Sequence, residues 1–277
     1  MAGLDDLLTE NGSLKPPRLD RVVGDSSNKE LMAEARAALS GNWGMAVVGY
    51  ILYMVLVAGI SWFSYAAVFF VASVSAVSGV NAGVAINSMS LASQGVQLLL
   101  SGAFVVGFCS YFLVIAQEEE ARLECLFTGF RRFFAAFGAY FFYTLFVFLW
   151  ILLTTLVPLA ILMGIRFIPG IDLDLDLFLP NELIVGISIT IGVLGGMVAA
   201  FRYAMAFFVV ADDDGGPLEA IRKSKRMMKG KKWKFFRLHW RFFWWWVLAT
   251  FFTFGIGYLW LIPYMQTSFA KFYEDVR

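Results

Sequence analysis

The sequence predicts an all-α protein, a polytopic bundle of membrane helices, and three observations carry that reading. Residues 37–117, 133–165 and 242–270 contain no Asp, Glu, Lys or Arg, and about 20 consecutive apolar residues suffice to span a bilayer. The chain is 60% hydrophobic and only 16% charged, against roughly 25% charged in soluble domains, so a soluble fold would have more apolar surface than it could bury. A short amphipathic segment that ends near a glycine and steps into a long apolar run occurs three times, the mark of an internal repeat.

Taken in order, residues 1–28 read as a mobile polar tail. Its start, MAGLDDLLTENGSLKPPRLD, has neither a basic n-region nor an unbroken apolar h-region, so no cleavable signal peptide is expected. Residues 29–277 read as one transmembrane domain with repeat units at about 29–117, 118–211 and 215–277. Each unit opens with a lead-in: ELMAEARAALSGNW, ARLECLFTGFRRF and PLEAIRKSKRMMKGKKW. In the first, Leu31, Met32, Ala35, Ala38 and Leu39 fall on one helical face. In the second, Leu123, Leu126, Phe127 and Phe130 do so opposite Arg122 and Glu124, and in the third Leu218, Ile221 and Met228 share a side. Such segments are expected to lie in the membrane interface. The glycines Gly41, Gly129 and Gly230 suit left-handed C-caps. Pro217 suits the first turn of the third lead-in, and Asp212 to Asp214 are placed to cap it.

Two spans follow each glycine, at roughly 44–74 and 95–117, 133–164 and 183–211, 235–254 and 258–274. The polar stretch Ser78 to Gln94 supplies the first turn and Gly255–Gly257 the last. The final span is short and contains Pro263 and Gln266, so five spans stand beside six. All 22 Lys and Arg except Arg166 and Arg202 cluster at the lead-ins and the two termini. That face is therefore expected to be cytoplasmic, with both termini on it.

The densest cationic stretch runs from residue 222 into four tryptophans. Arg222, Lys223, Lys225, Arg226, Lys229, Lys231, Lys232, Trp233 and Lys234 are the candidate contacts to lipid headgroups or to a partner protein. Each cation near anionic lipid is worth about 1 kcal/mol, and tryptophan favours the headgroup boundary. Nucleic acid is not expected as a partner, because the net charge is +1 and the aromatics run straight into an apolar span rather than forming an accessible stacking platform.

Ionisable groups predicted within or at the ends of spans are Arg202, His239 and Arg241. Arg202 invites two readings, a buried pair or pathway residue and a snorkelling side chain. Asp172, Asp174 and Asp176 alternate along an outer loop, read as solvated, with a calcium site as the alternative. His239 is the one histidine and the thiols are Cys109 and Cys125, too few groups for a zinc site or a disulfide framework. No enzyme, cofactor or metal is expected. Gly192, Gly195 and Gly196 form a strip for close helix packing.

The segments EAIRKSKRMMKGKKWKFFRLHW and TFGIGYLWLIPYMQTSFAKFYEDV, with ARAALSGNWGMAVV, LFTGFRRF and FRYAMAFFVVADD, resemble the bacterial integral-membrane family known as domain of unknown function nine-seven-five. More distantly they resemble the membrane domains attached to some glycerophosphodiester phosphodiesterases. The resemblance implies a multi-pass protein of the bacterial cytoplasmic membrane and no particular reaction. The expected role is a non-enzymatic scaffold that binds anionic lipid or a partner; the second reading is a carrier or channel for a small molecule or lipid.

Overall fold

The computed structural model describes residues 26–78, 81–119, 121–165, 180–212 and 215–277, and among them every regular element is helical. The first helix, α1 (Asn28–Leu39), begins at a reciprocal cap: the Ser27 hydroxyl accepts from the Glu30 amide at 3.2 Å, and the Glu30 carboxylate accepts from the Ser27 amide at 2.7 Å. This satisfies two amides that a helix start otherwise leaves unpaired. Ser26 to Asn28, expected to belong to the tail, are thus part of the folded body; residues 1–25 lie outside the described residues. Gly41, at φ +90°, then turns the chain into α2 (Trp43–Ser78).

The hairpin partner α3 (Ala82–Ala116) starts well before the expected residue 95. From Ala82 onward the polar stretch assigned to a turn is helical, and it contains no proline to break the helix. Asn81 caps it by accepting from the Val84 amide at 3.4 Å, and the Ser88 and Ser93 hydroxyls return to backbone carbonyls of the same helix. At 1.5 Å per residue α2 and α3 run to about 54 and 52 Å, well beyond the roughly 30 Å of a hydrocarbon core. A helix of that length that crosses a bilayer tilts strongly or projects from it.

The second lead-in differs from the first. It forms a 3-10 turn, Leu123–Phe127, and one further helical turn, Thr128–Arg131, instead of an amphipathic helix. The cause is a backbone-to-backbone crossing with α3. A Cβ on Gly107 would fall inside the Leu126 carbonyl, and one on Gly129 inside the Ala103 carbonyl. Gly129 therefore serves close approach, without the left-handed conformation seen at Gly41 and Gly230 (φ +78°). Of the expected face, Leu126 is buried while Phe127 and Phe130 point outward.

Next come α4 (Phe133–Gly164) and α5 (Asn181–Tyr203), continued by the short α6 (Ala206–Asp212). The glycine strip of α5 packs within the chain: a Cβ on Gly192, Gly195 or Gly196 would strike Thr155, Thr154 or Ile151 of α4. Close helix approach through small residues is the usual device where lipid removes any hydrophobic drive between helices. The last helices are α7 (Pro217–Met227), α8 (Lys232–Thr253) and α9 (Tyr258–Val276), with the predicted turn between α8 and α9 made by Phe254 at φ +49° and Gly255 at φ +89°.

Among the described residues, four helical stretches are long and apolar enough to cross a membrane: Trp43–Ser78, Gly83–Ala116, Phe133–Gly164 and Asn181–Asp212. Helices α8 and α9 occupy the places of the fifth and sixth predicted spans but do not reach that standard. In α8, two lysines, two arginines, a histidine and weakly apolar tryptophans dilute the run. In α9, the second half is polar enough to need protein around it.

That second half forms the centre of the packed body. Thr267, Ser268, Ala270, Phe272 and Tyr273 are fully enclosed, against Leu31 of α1, Val106 and Leu113 of α3, Phe208 of α6, and Phe235 and Leu238 of α8. Its polar groups are matched. Asp275, 5% exposed, receives the Lys234 ammonium at 2.6 Å and the Ser26 amide at 3.2 Å. Tyr273 donates to Asp212 at 2.7 Å, and Arg277 pairs with the same carboxylate at 2.8 Å. Asp212, expected at the start of α7, therefore fastens α6 to α9 instead; Asp213 and Asp214 lie outside the described residues.

Two substitutions on α3 test the close crossing. Gly107→Ala is expected to lower stability by about 1–3 kcal/mol or more, since backbone cannot yield as a side chain can. Gly95→Ala meets nothing within 4 Å and is expected to raise stability by about 0.5–1 kcal/mol through helix propensity. Unfolding in mild detergent titrated with a denaturing one measures both, and equal effects would contradict the crossing.

Candidate functional site

The basic face is built on α7, the Gly230 turn and the foot of α8. Helix α7 buries Ala220, Ile221 and Ser224, with Met228 just beyond it, while Arg222, Lys225, Arg226 and Lys229 are exposed. Leu218, expected on the buried side, points outward, while Ala220 and Ser224 face inward, where α7 packs against α4, α6 and the end of α5. There the Ser224 hydroxyl donates to the Arg202 carbonyl at 3.3 Å. Arg202 itself is half-buried in the last turn of α5. Lys223, Lys231 and Lys232 are intermediate in exposure. Gly230 in its left-handed turn carries the chain directly into α8, so the cations of α7 continue onto the next helix.

Lys234 departs from the other members of that stretch. Its ammonium is directed inward to Asp275 and lies 5.6 Å from the Phe272 ring centroid. A charge committed to a buried carboxylate is withdrawn from lipid, so among the candidate contacts Lys234 is a structural one.

His239 stands in a box of rings. It stacks on Phe269 and meets Phe235 edge-on, both at 4.4 Å, with Phe201 at 5.2 Å. Its Nδ1 lies 3.2 Å from the Phe235 carbonyl of its own helix. Cys109 is buried in α3 and Cys125 half-buried in the 3-10 turn, and both are free thiols. Burial, with Glu124 beside it, raises the Cys125 thiol above its ordinary value, away from the thiolate that reactive cysteines need. Among the described residues no group of three metal-ligating side chains occurs. Asp172, Asp174 and Asp176 lie outside the described residues.

A further set of residues, of which sequence reasoning singled out Trp233 and Arg241 but not their convergence, comes together at the foot of α8. A cleft of about 750 Å³ opens between this foot and the start of α1, and its walls include Lys29, Trp233, Arg237, Trp240 and Arg241. Arg241, expected at the end of a span, is exposed on this wall. The aromatic members form a ladder: Trp233 on Phe236 at 5.0 Å, Phe236 on Trp240 at 5.9 Å, Trp240 on Phe243 at 5.3 Å. The signal for this stripe is the i, i+3 and i, i+4 spacing of Trp233, Phe236, Arg237, Trp240 and Arg241. Asn28, also on the wall, donates its amide to the Lys234 carbonyl at 2.9 Å, while its buried side-chain oxygen has no donor.

A second, smaller cavity of about 220 Å³ lies between α2, α3 and α4. Five of its wall residues bring polar groups, Tyr53, Ser61, Gln97, Ser101 and Tyr140, into otherwise apolar helices.

Removing one partner of the Asp212 cluster tests how far the basic end depends on it. Tyr273→Phe deletes one charge-assisted hydrogen bond to a carboxylate, worth about 1.5–3 kcal/mol. It is expected to lower the detergent unfolding midpoint, whereas a variant as stable as the wild type would contradict the cluster's structural role.

No curated protein sequence and no solved structure matches the chain. The profile of a family described as protein of unknown function, DUF975, matches residues 26–277, which begins at the first described residue and takes in helices α1 to α9. The chain is a member of the DUF975 family.

Proposed function

We propose that this protein is a non-enzymatic scaffold of the bacterial cytoplasmic membrane whose basic face engages anionic lipid. Six helices cross in this reading, α8 and α9 completing the four longer ones, with the basic face and both termini in the cytoplasm as the distribution of cations suggests. Three repeated units, each an interfacial segment followed by a helical pair, remain the simplest account of the element order. The observation that carries the proposal is the two-sidedness of α7: a small, buried inner face against α4, α6 and the end of α5, and an outer face of Arg222, Lys225, Arg226 and Lys229. Cations arrayed on a protein's outer surface beside exposed Trp233 and Trp240 match the chemistry of a phosphate-bearing membrane surface.

Reversing four of the lysines, Lys223, Lys225, Lys229 and Lys231, to Glu tests this. In detergent micelles containing equal phosphatidylglycerol and phosphatidylcholine, the wild type is expected to retain phosphatidylglycerol preferentially in native mass spectra. The reversal is expected to reduce that preference roughly tenfold or more, from about 1 kcal/mol per cation. An unchanged preference would refute the basic face as a lipid-binding surface.

A carrier for a small polar molecule is the second reading, favoured by the cavity lined by Gln97, Tyr53 and Tyr140 among spanning helices, since polar side chains at such depth mark pathways. Flux of a polar solute into liposomes, lost on Gln97→Leu and on Arg202→Ala, is the result that reading requires.

A further inference from the structure

The cleft at the foot of α8 combines two features that a diffuse basic surface does not have. It is concave, at about 750 Å³ within the size range of ordinary ligand pockets. Its cations also remain uncommitted: among the described residues Lys29, Arg237 and Arg241 are exposed and form no ion pair, whereas the neighbouring Lys234 is neutralised by Asp275. Arg237 and Arg241 stand one helical turn apart on one face, about 6 Å along the axis, and Lys29 faces them from α1. An anion in the cleft therefore meets three positive charges from two helices. The amides at the start of α1 contribute little, since Ser27, Glu30 and Asp275 already engage that end.

The wall between the cations is aromatic and continues away from them. Trp233, Phe236 and Trp240 stack along the cleft, and Phe243 and Trp244 extend the ladder toward the apolar part of α8. A free phosphate ester would use the charges and leave the ladder idle. A molecule with an anionic head and a hydrocarbon body satisfies both, with phosphate at Arg237 and Arg241, which offer planar donors suited to it, and acyl chain along the rings.

We infer that this cleft is a discrete site for one anionic phospholipid, held by Lys29, Arg237 and Arg241 with its acyl chains on the α8 aromatic ladder. The inference rests on the lipid-binding reading above but uses none of the α7 cations, so the two can fail separately.

The test is native mass spectrometry of the full chain after extensive delipidation, with phosphatidylglycerol or phosphatidylcholine added back. One phosphatidylglycerol is expected to remain on the wild type and on the four-lysine reversal. Occupancy is expected to fall about tenfold or more on Arg237→Gln with Arg241→Gln, and on Trp240→Ala to a lesser degree. Arg237→Lys with Arg241→Lys keeps the charge and is expected to retain most of the lipid, which separates loss of binding from loss of folding. Wild-type retention by the double glutamine variant would overturn the site. So would equal retention of phosphatidylcholine, or displacement of the lipid by millimolar glycerol phosphate. If the double glutamine variant loses its lipid while the lysine reversal leaves the overall phosphatidylglycerol preference unchanged, the basic face of α7 fails and the cleft stands; the opposite pattern sinks the cleft alone.

Discussion

Burying a carboxylate and a tyrosine hydroxyl near the end of the chain imposes the condition on which the rest of the basic face depends. Helix α9 drives its second half into the body, and each buried polar group there must find a partner or cost several kcal/mol. Asp275 finds Lys234 on α8 and the amide of Ser26, while Tyr273 and Arg277 find Asp212 on α6. These partners sit on three other parts of the chain, so satisfying α9 also fixes the start of α1, the entrance to α7 and the foot of α8. The cations that face outward owe their position to the one that faces inward.

The two ends of the molecule are held by different physics. At the basic end, aromatic rings interlock around α9: Phe235 meets Phe272 at 4.9 Å and Phe269 at 5.3 Å, and Phe208 stacks on Tyr273 at 5.7 Å. Along the long helices, contact depends on glycine, at Gly107 against Leu126 and at Gly192 and Gly196 against α4. Beyond those contacts large apolar side chains stand open, Trp62, Phe63, Phe69 and Phe70 on α2 among them. Exposed surface of that kind on a soluble protein would mark an aggregation site; in a bilayer, hydrocarbon covers it.

Much of the fold was legible because apolar length and glycine position are local properties. The charge-free runs marked the long helices, and Gly41, Gly230 and the Gly255 turn stand where the chain changes direction. What was missed depends on tertiary contact. Residues 82–94 looked like a loop by composition, yet nothing in them breaks a helix and Asn81 caps it. Gly129 resembled its two counterparts in spacing but answers to α3 passing over it. Lys234 was indistinguishable from its neighbours until Asp275, 41 residues later, came beside it. The Ser27 to Glu30 pair was visible as a capping signature, but Ser27 fell in the tail and Glu30 in the first lead-in. The cleft was the least legible, since Lys29 and Arg241 are far apart in sequence and only folding brings them to one opening.

The measurement that tests the central claim most directly is a double-mutant cycle on the buried pair, using Lys234→Met and Asp275→Leu with stability read by detergent unfolding. If this pair holds α8 to α9, each single change leaves an uncompensated buried charge and is expected to cost about 3–5 kcal/mol. The double change is expected to cost far less than the sum. Additive effects, or single changes within about 0.5 kcal/mol of the wild type, would mean that the pair is incidental and that the basic face is positioned by something else.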